Sequence, residues 1–168
     1  MPTRPDPVAP PDDAAREQAR TLLSGARHAA LAYTDPQTGT PGISRIAFGL
    51  DPDGLPVTLI SQLSAHYAGL SANPLAAVMV GEPGPKGDPL THPRLMVRVR
   101  ADFLDRSAAD HATMRQAWLH DHPKAQLYID FADFGFVRLA PISAFLNGGF
   151  GRAVRLDPAD LLPQGGAT

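Results

Sequence analysis

Arg45 sits among small and apolar residues on a stretch of alternating character. In Ile43–Leu50, Ser44, Ile46, Phe48 and Leu50 share one face, and Ile43, Arg45, Ala47 and Gly49 share the other. A guanidinium beside two small residues suits a surface cut back to admit something flat and anionic, because arginine meets phosphate or carboxylate through a planar fork. The plainer alternative is an arginine on the solvent face of an edge strand. A second stretch, Leu59-Ile60-Ser61-Gln62-Leu63-Ser64-Ala65-His66-Tyr67, carries a strand that ends in Ser61 and a helix that opens near Ser64. Free backbone N–H groups at a helix start attract anions, and a hydroxyl or His66 nearby would add donors. Capping by Ser64 with an exposed His66 is the competing account.

Other candidates carry less. Gly81–Pro93 has Gly81, Gly84 and Gly87, but no strand-loop-helix setting, and Lys86 is followed by neither Ser nor Thr. It reads as a surface loop rather than a phosphate cradle. His120 and His122 do not share a helical face, and Pro123 ends the helix there, so no metal site is expected. His111 reads as solvated. No G-x-S-x-G and no paired-carboxylate motif argues for hydrolysis, and no catalytic residue is assigned.

Composition narrows the classes. The chain has no cysteine, which excludes disulfides, thiolate metal sites and cysteine nucleophiles. A net charge of −2, from 15 basic and 17 acidic residues, gives no case for nucleic acid or an anionic membrane. No apolar run reaches bilayer length, and Met1–Pro11 lacks the apolar core of a signal peptide, so a cytoplasmic protein is the default expectation.

The elements that must hold Arg45 and Ser61 follow from pattern. Residues 1–11 read as a disordered arm, 12–157 as one domain and 158–168 as a tail. Asp12 or Asp13 caps a helix to about Ala26, with Ala15, Ala19, Leu22, Leu23 and Ala26 on one stripe. Ala29–Thr34, Ile43–Leu50, Val57–Ser61 and Leu75–Val80 read as strands, with a hairpin turn at Asp51-Pro52-Asp53-Gly54. Arg94–Leu104 alternates most clearly, with Leu95, Val97, Val99, Ala101 and Phe103 on one face and Arg94, Met96, Arg98 and Arg100 on the other. Ser107 is expected to cap a helix to about His120. Phe134–Leu139 and Ile142–Leu146 read as strands around Pro141, and Phe150–Leu156 as a last one. The sum is a mainly β (α+β) fold, an antiparallel barrel with peripheral helices rather than alternating βαβ units.

The order of these signals carries a resemblance. Ile43-Ser44-Arg45-Ile46-Ala47, the Leu59–His66 run, Gly87-Asp88-Pro89-Leu90-Thr91-His92-Pro93-Arg94-Leu95, Asp130-Phe131-Ala132-Asp133-Phe134-Gly135-Phe136 and Gly148-Gly149-Phe150-Gly151-Arg152-Ala153 recur together. Over residues 14–157 the chain resembles the pyridoxamine 5′-phosphate oxidase-like FMN-binding split barrels, and most closely their heme-utilisation branch. The resemblance implies a homodimer with FMN sites between two chains. It places Arg45, Ile46 and Ala47 at the flavin and its phosphate, and Ile60 and Ser61 along the ribityl–phosphate path. It puts His66 and Tyr67 at the phosphate, and Arg94 facing the isoalloxazine ring.

The chain departs from the oxidases of that family. Leu146 stands where they carry Trp, and Arg152-Ala153-Val154-Arg155-Leu156 replaces their Arg-x-His-x-Arg run. Pyridoxamine-phosphate oxidation itself is therefore not expected. Members that degrade heme use a C-terminal histidine as iron ligand, and the residues after Arg152 include no His, Cys, Met or Tyr. The first expectation is an FMN-binding homodimer, an oxidoreductase of unassigned substrate. The alternatives are a heme-binding or heme-degrading protein and a non-catalytic flavin-binding dimer.

Overall fold

Alternation along residues 94–103 sets the geometry of the whole molecule. In the computed structural model, which describes residues 8–149 and 151–163, the elements run β1 (Val8–Ala9), α1 (Asp13–Gly25), β2 (His28–Thr34), β3 (Pro41–Ala47), β4 (Gly49–Leu50), β5 (Pro56–Ser61), α2 (Ala65–Ala72), β6 (Leu75–Val80), β7 (Arg94–Phe103), α3 (His111–Asp121), β8 (Phe134–Asn147), β9 (Ala153–Leu156) and α4 (Pro158–Leu161). Short 3-10 turns occupy Pro89–Thr91 and Pro123–Leu127. On β7, Leu95, Val97 and Val99 are fully buried while Arg98 and Arg100 face out. Burying each such side chain contributes roughly 1.5–3 kcal/mol.

The sheet is ordered β1-β9-β8-β7-β6-β2-β3, with β5 on the first half of β8 and β4 on β5. Neighbours are antiparallel except for β1 and β9, which are parallel. This is a mainly β split barrel with peripheral helices, and its sheet does not close: β3 and β5 lie side by side without a ladder. One side chain spans that seam. The Thr58 hydroxyl, fully buried, donates to the Ala47 carbonyl at 2.6 Å.

Two apolar clusters hold the strands. The larger joins Ala15, Ala19 and Leu23 of α1 to Phe48, Val97, Leu139 and Leu146 inside the barrel. The smaller packs Met114 and Trp118 of α3 against Val57, Leu59 and Phe136. Strand β5 belongs to both, since Leu59 faces α3 and Ile60 faces the barrel. It therefore reads as a continuous apolar run.

Several expectations change in the structure. The two strands expected around Pro141 are one, because the ladder takes Pro141 at a register shift between Arg98 and Val99 on β7; a bulge accommodates a residue with no N–H. Ile43–Leu50 breaks at Phe48, whose N–H turns to the Arg27 carbonyl at 3.0 Å. The third helix starts at His111 rather than after Ser107, because Asp105 takes the Ser107 N–H and hydroxyl into a turn of its own. Phe103 is 39% exposed and lies at the rim. Of the expected free arm, Val8–Ala9 is instead a short strand against Ala153 and Val154, and Asp12 pairs with Arg152 at 2.8 Å; residues 1–7 lie outside the described residues. Pro158–Leu161 of the expected tail is a helical turn held by Arg16 on Asp160 at 2.7 Å. The last strand begins at Ala153, and Phe150 lies outside the described residues.

Candidate functional site

The seam between β3 and β5 opens into a cleft of about 270 Å³. Arg45, Ile46 and Ala47 line it from β3, and Leu59, Ile60 and Ser61 from β5. Ser64 and His66 close one end at the start of α2, and Tyr128 and Phe134 form the far wall. The lack of a ladder here makes room: two neighbouring strands that do not pair leave a slot that side chains must line.

Six sequence-derived candidates meet in that cleft: Arg45, Ile46, Ala47, Ile60, Ser61 and His66. Tyr67 does not join them. One residue on from His66 in a helix points about 100° away, and Tyr67 packs on the barrel edge against Phe103, ring centroids 5.1 Å apart. Arg94 is also elsewhere in this chain. It lies at the start of β7, opposite Asn147, and donates to the Leu90 carbonyl at 3.1 Å. Tyr128, just after the 3-10 turn that Pro123 starts, and Phe134, the first residue of β8, were not among the expected site residues; their rings lie 4.9 Å apart. Leu63, Leu127 and Phe131 are exposed hydrophobics in the same turns, the first two 88% and 77% exposed.

The polar groups of the cleft are not alike. Arg45 is exposed, and its guanidinium makes no ion pair among the described residues. The Ser61 hydroxyl donates to Asp133 Oδ2 at 2.5 Å and accepts the Leu63 N–H at 3.1 Å. The Ser64 hydroxyl donates to the Ser61 carbonyl at 2.7 Å and accepts the Tyr67 N–H at 3.2 Å, which caps α2 as expected. A serine has one proton to give, so both hydroxyls have spent theirs on the protein. His66 is half-buried, with Tyr33 edge-on at 6.3 Å and no hydrogen bond to its ring among the described residues. Burial lowers its pKa below the ordinary 6.5, which favours the neutral imidazole. Tyr33 itself fits between Gly42 and Gly69; a Cβ at Gly42 would stand 2.6 Å from the Tyr33 ring.

Two other histidines are committed to structure. His92 clasps its own loop, accepting the Gly84 N–H on Nδ1 at 3.0 Å and donating from Nε2 to the Lys86 carbonyl at 2.9 Å. His122 stacks on Trp118 at 4.0 Å and reaches the Arg27 carbonyl through Nε2. Thr91 of the Gly87–Leu95 run and Gly149 meet outside the lining of the cleft. A Cβ at Gly149, whose φ of +124° itself favours glycine, would lie 3.4 Å from the Thr91 carbonyl.

Known proteins share this architecture. Over 126 residues, 74% of this chain, the sequence is 33% identical to the non-canonical heme oxygenase HOZ of Arabidopsis thaliana chloroplasts; the chain spans 37% of that protein's length. The solved structure of a heme-binding protein from Mycobacterium smegmatis superposes with a TM-score of 0.79 at 27% identity, covering 92% of this chain and 61% of that one. A pyridoxinephosphate oxidase family protein from Clostridium acetobutylicum shares the fold at 15% identity, with a TM-score of 0.67 over 90% of this chain and 99% of its own. Among the described residues no helix is long and apolar enough to cross a membrane. The family model for the CREG β-barrel matches residues 10–161, which takes in α1, every strand from β2 to β9 and the whole cleft, and the chain belongs to that family.

Proposed function

We propose that the seam cleft binds heme, with a propionate at Arg45, the macrocycle against the Tyr128–Phe134 wall, and His66 presented to the iron. The observation that carries this is the unequal set of polar groups. A guanidinium with no ion pair among the described residues, one half-buried neutral imidazole and an aromatic wall stand beside two hydroxyls that have no proton to offer. A singly charged carboxylate needs one guanidinium fork. Iron needs an unprotonated imidazole lone pair, and His66 is the histidine that lines this cleft. The similarity to a heme oxygenase and to a heme-binding protein supports the same reading. Bound heme would supply the oxygen chemistry of its iron; this chain would bind, orient and shield it.

FMN is the second reading. Its support is the convergence of Arg45, Ile46, Ala47, Ile60, Ser61 and His66 at the start of α2, the set that the resemblance to the oxidases assigns to a flavin. A flavin-dependent oxidoreductase of unassigned substrate would follow from it. Against it stands the Asp133 carboxylate behind Ser61, where a phosphate dianion would need donors.

Both readings call for a second copy of the chain. Across the outer face of the sheet, Arg45, Ala30, Met79, Met96 and Phe145 form one cross-strand row, and Ile43, Ala32, Ala77, Arg98 and Ser143 the next. Ile43 is 76% and Met79 46% exposed. A face that carries Ala30, Ala32 and Ala77 with exposed Ile43 and Met79, running out from Arg45, suits isologous packing of two sheets.

Titration of the purified protein with hemin and, separately, with FMN tests the choice. A saturable Soret shift with hemin, tighter than any flavin binding, is expected. Tight FMN binding with no response to hemin would overturn the heme assignment in favour of the flavin.

A further inference from the structure

We infer that Asp133 determines which anions the cleft accepts, admitting carboxylates and rejecting phosphates. The inference rests on the cleft being a ligand site, as proposed above, and concerns the acid group it recognises.

Asp133 lies 72 residues from Ser61 in sequence, yet it holds the turn that Ser61 opens by two hydrogen bonds, one to Ser61 and one to Gln62. Its carboxylate takes the Ser61 hydroxyl proton at 2.5 Å, and its backbone carbonyl takes the Gln62 N–H at 2.7 Å. The double tie fixes the turn after β5 to the turn before β8. It also decides how Ser61 faces the cleft. The Ser61 oxygen gives its proton to Asp133 and uses one lone pair on the Leu63 N–H. Only a lone pair is left for a ligand. Ser64 is spent in the same way, on the Ser61 carbonyl and the Tyr67 N–H.

A phosphate oxygen is an acceptor and meets an acceptor at Ser61. Behind Ser61 it also meets a full negative charge. A phosphate near pH 7 carries close to two charges and several acceptor oxygens that need donors, whereas the cleft supplies the Arg45 fork and the N–H groups of the first turn of α2. A carboxylate is satisfied by Arg45 alone, and its single charge feels half the repulsion from Asp133. Asp133 is thus a positioning and charge-selecting residue acting through Ser61, not a ligand contact itself.

The test uses inorganic phosphate and acetate as probes, so that it does not depend on any cofactor being bound. Backbone amide shifts of Ala65 and His66 are followed by NMR at constant ionic strength in the wild type, Asp133→Asn and Asp133→Ala. Asparagine keeps an acceptor for the Ser61 proton and removes the charge. Alanine removes both and frees the hydroxyl to donate. Phosphate affinity relative to acetate should rise about tenfold in Asp133→Asn, and further in Asp133→Ala. A ratio unchanged in both variants, or no saturable phosphate response in either, would overturn the inference. Well-dispersed spectra of Asp133→Asn show that the turn survives. A wild type that ignores hemin while this ratio shifts would defeat the heme reading alone; hemin binding with an unshifted ratio would defeat the selectivity alone.

Discussion

His66 is where burial and chemistry meet most directly. Its pKa is lowered below 6.5 because desolvation disfavours the charged ring. The unfolded chain therefore binds the proton more readily than the folded one. The folded state suffers no penalty from this group above pH 6.5; stability is lost as pH falls below that value, and the loss is complete once pH passes the depressed folded value. Replacing His66 with Gln should flatten that part of the stability–pH curve, which chemical denaturation at a series of pH values would measure. The proposed iron ligation would have the same sign, because a proton competes for the lone pair. Hemin affinity should hold through neutral pH and drop only below pH 6.5, and the drop should vanish in His66→Gln. Much of this site was legible. Arg45, Ser61 and His66 stand out because a charged, a hydroxyl and an imidazole side chain interrupt apolar strands and a helix start in a fixed order. Asp133 was not, since its role appears only when the turn before β8 folds onto Ser61. Tyr67 does not line the cleft within this chain, because adjacent helical residues face different ways and its ring packs on Phe103.

Element by element, the split is the feature on which the site depends. A closed ladder between β3 and β5 would fill the cleft, and no contact between them would let the barrel gape. Thr58 resolves this with one hydroxyl on the Ala47 carbonyl at 2.6 Å. In Thr58→Val the methyl groups stay and the donor goes, leaving a buried carbonyl unsatisfied. A loss of about 1–3 kcal/mol is expected in urea unfolding, with the slope unchanged. A second anchor is Asp51, whose side chain is wholly buried with Arg138 at 2.7 Å and the Asp53 and Leu55 N–H groups on its other oxygen. Arg138→Met should cost about 3–5 kcal/mol by stranding that carboxylate. The Asp-Pro-Asp-Gly turn was plain in the sequence; that its first residue also holds β8 was not, because the partner lies 87 residues on. The same holds for Pro141. A proline inside a strand reads as a break, and only the bulge opposite Val99 makes it one continuous β8.

At the scale of the whole molecule, the sheet's outer face and the cleft form one surface. Arg45 belongs to both, at the end of the Ala30–Met79–Met96–Phe145 row. A dimer through this face would need about 1,200–2,000 Å² of buried surface. Ala32→Glu, in the middle of the alanine rows, should yield monomers in light scattering while leaving the fold intact; a dimer unaffected by that change would place the interface elsewhere. The alternation that creates this face was legible strand by strand. What no single strand discloses is which residues line up in one row across five strands, since that alignment is a property of register. The central claim, that this seam holds heme, is tested most directly by hemin titration of the wild type, Arg45→Ala and His66→Ala, followed through the Soret band. Saturable binding is expected in the wild type, with about tenfold weaker binding in Arg45→Ala and loss of the histidine-ligated spectrum in His66→Ala. Variants that titrate like the wild type in both affinity and spectrum would contradict that claim.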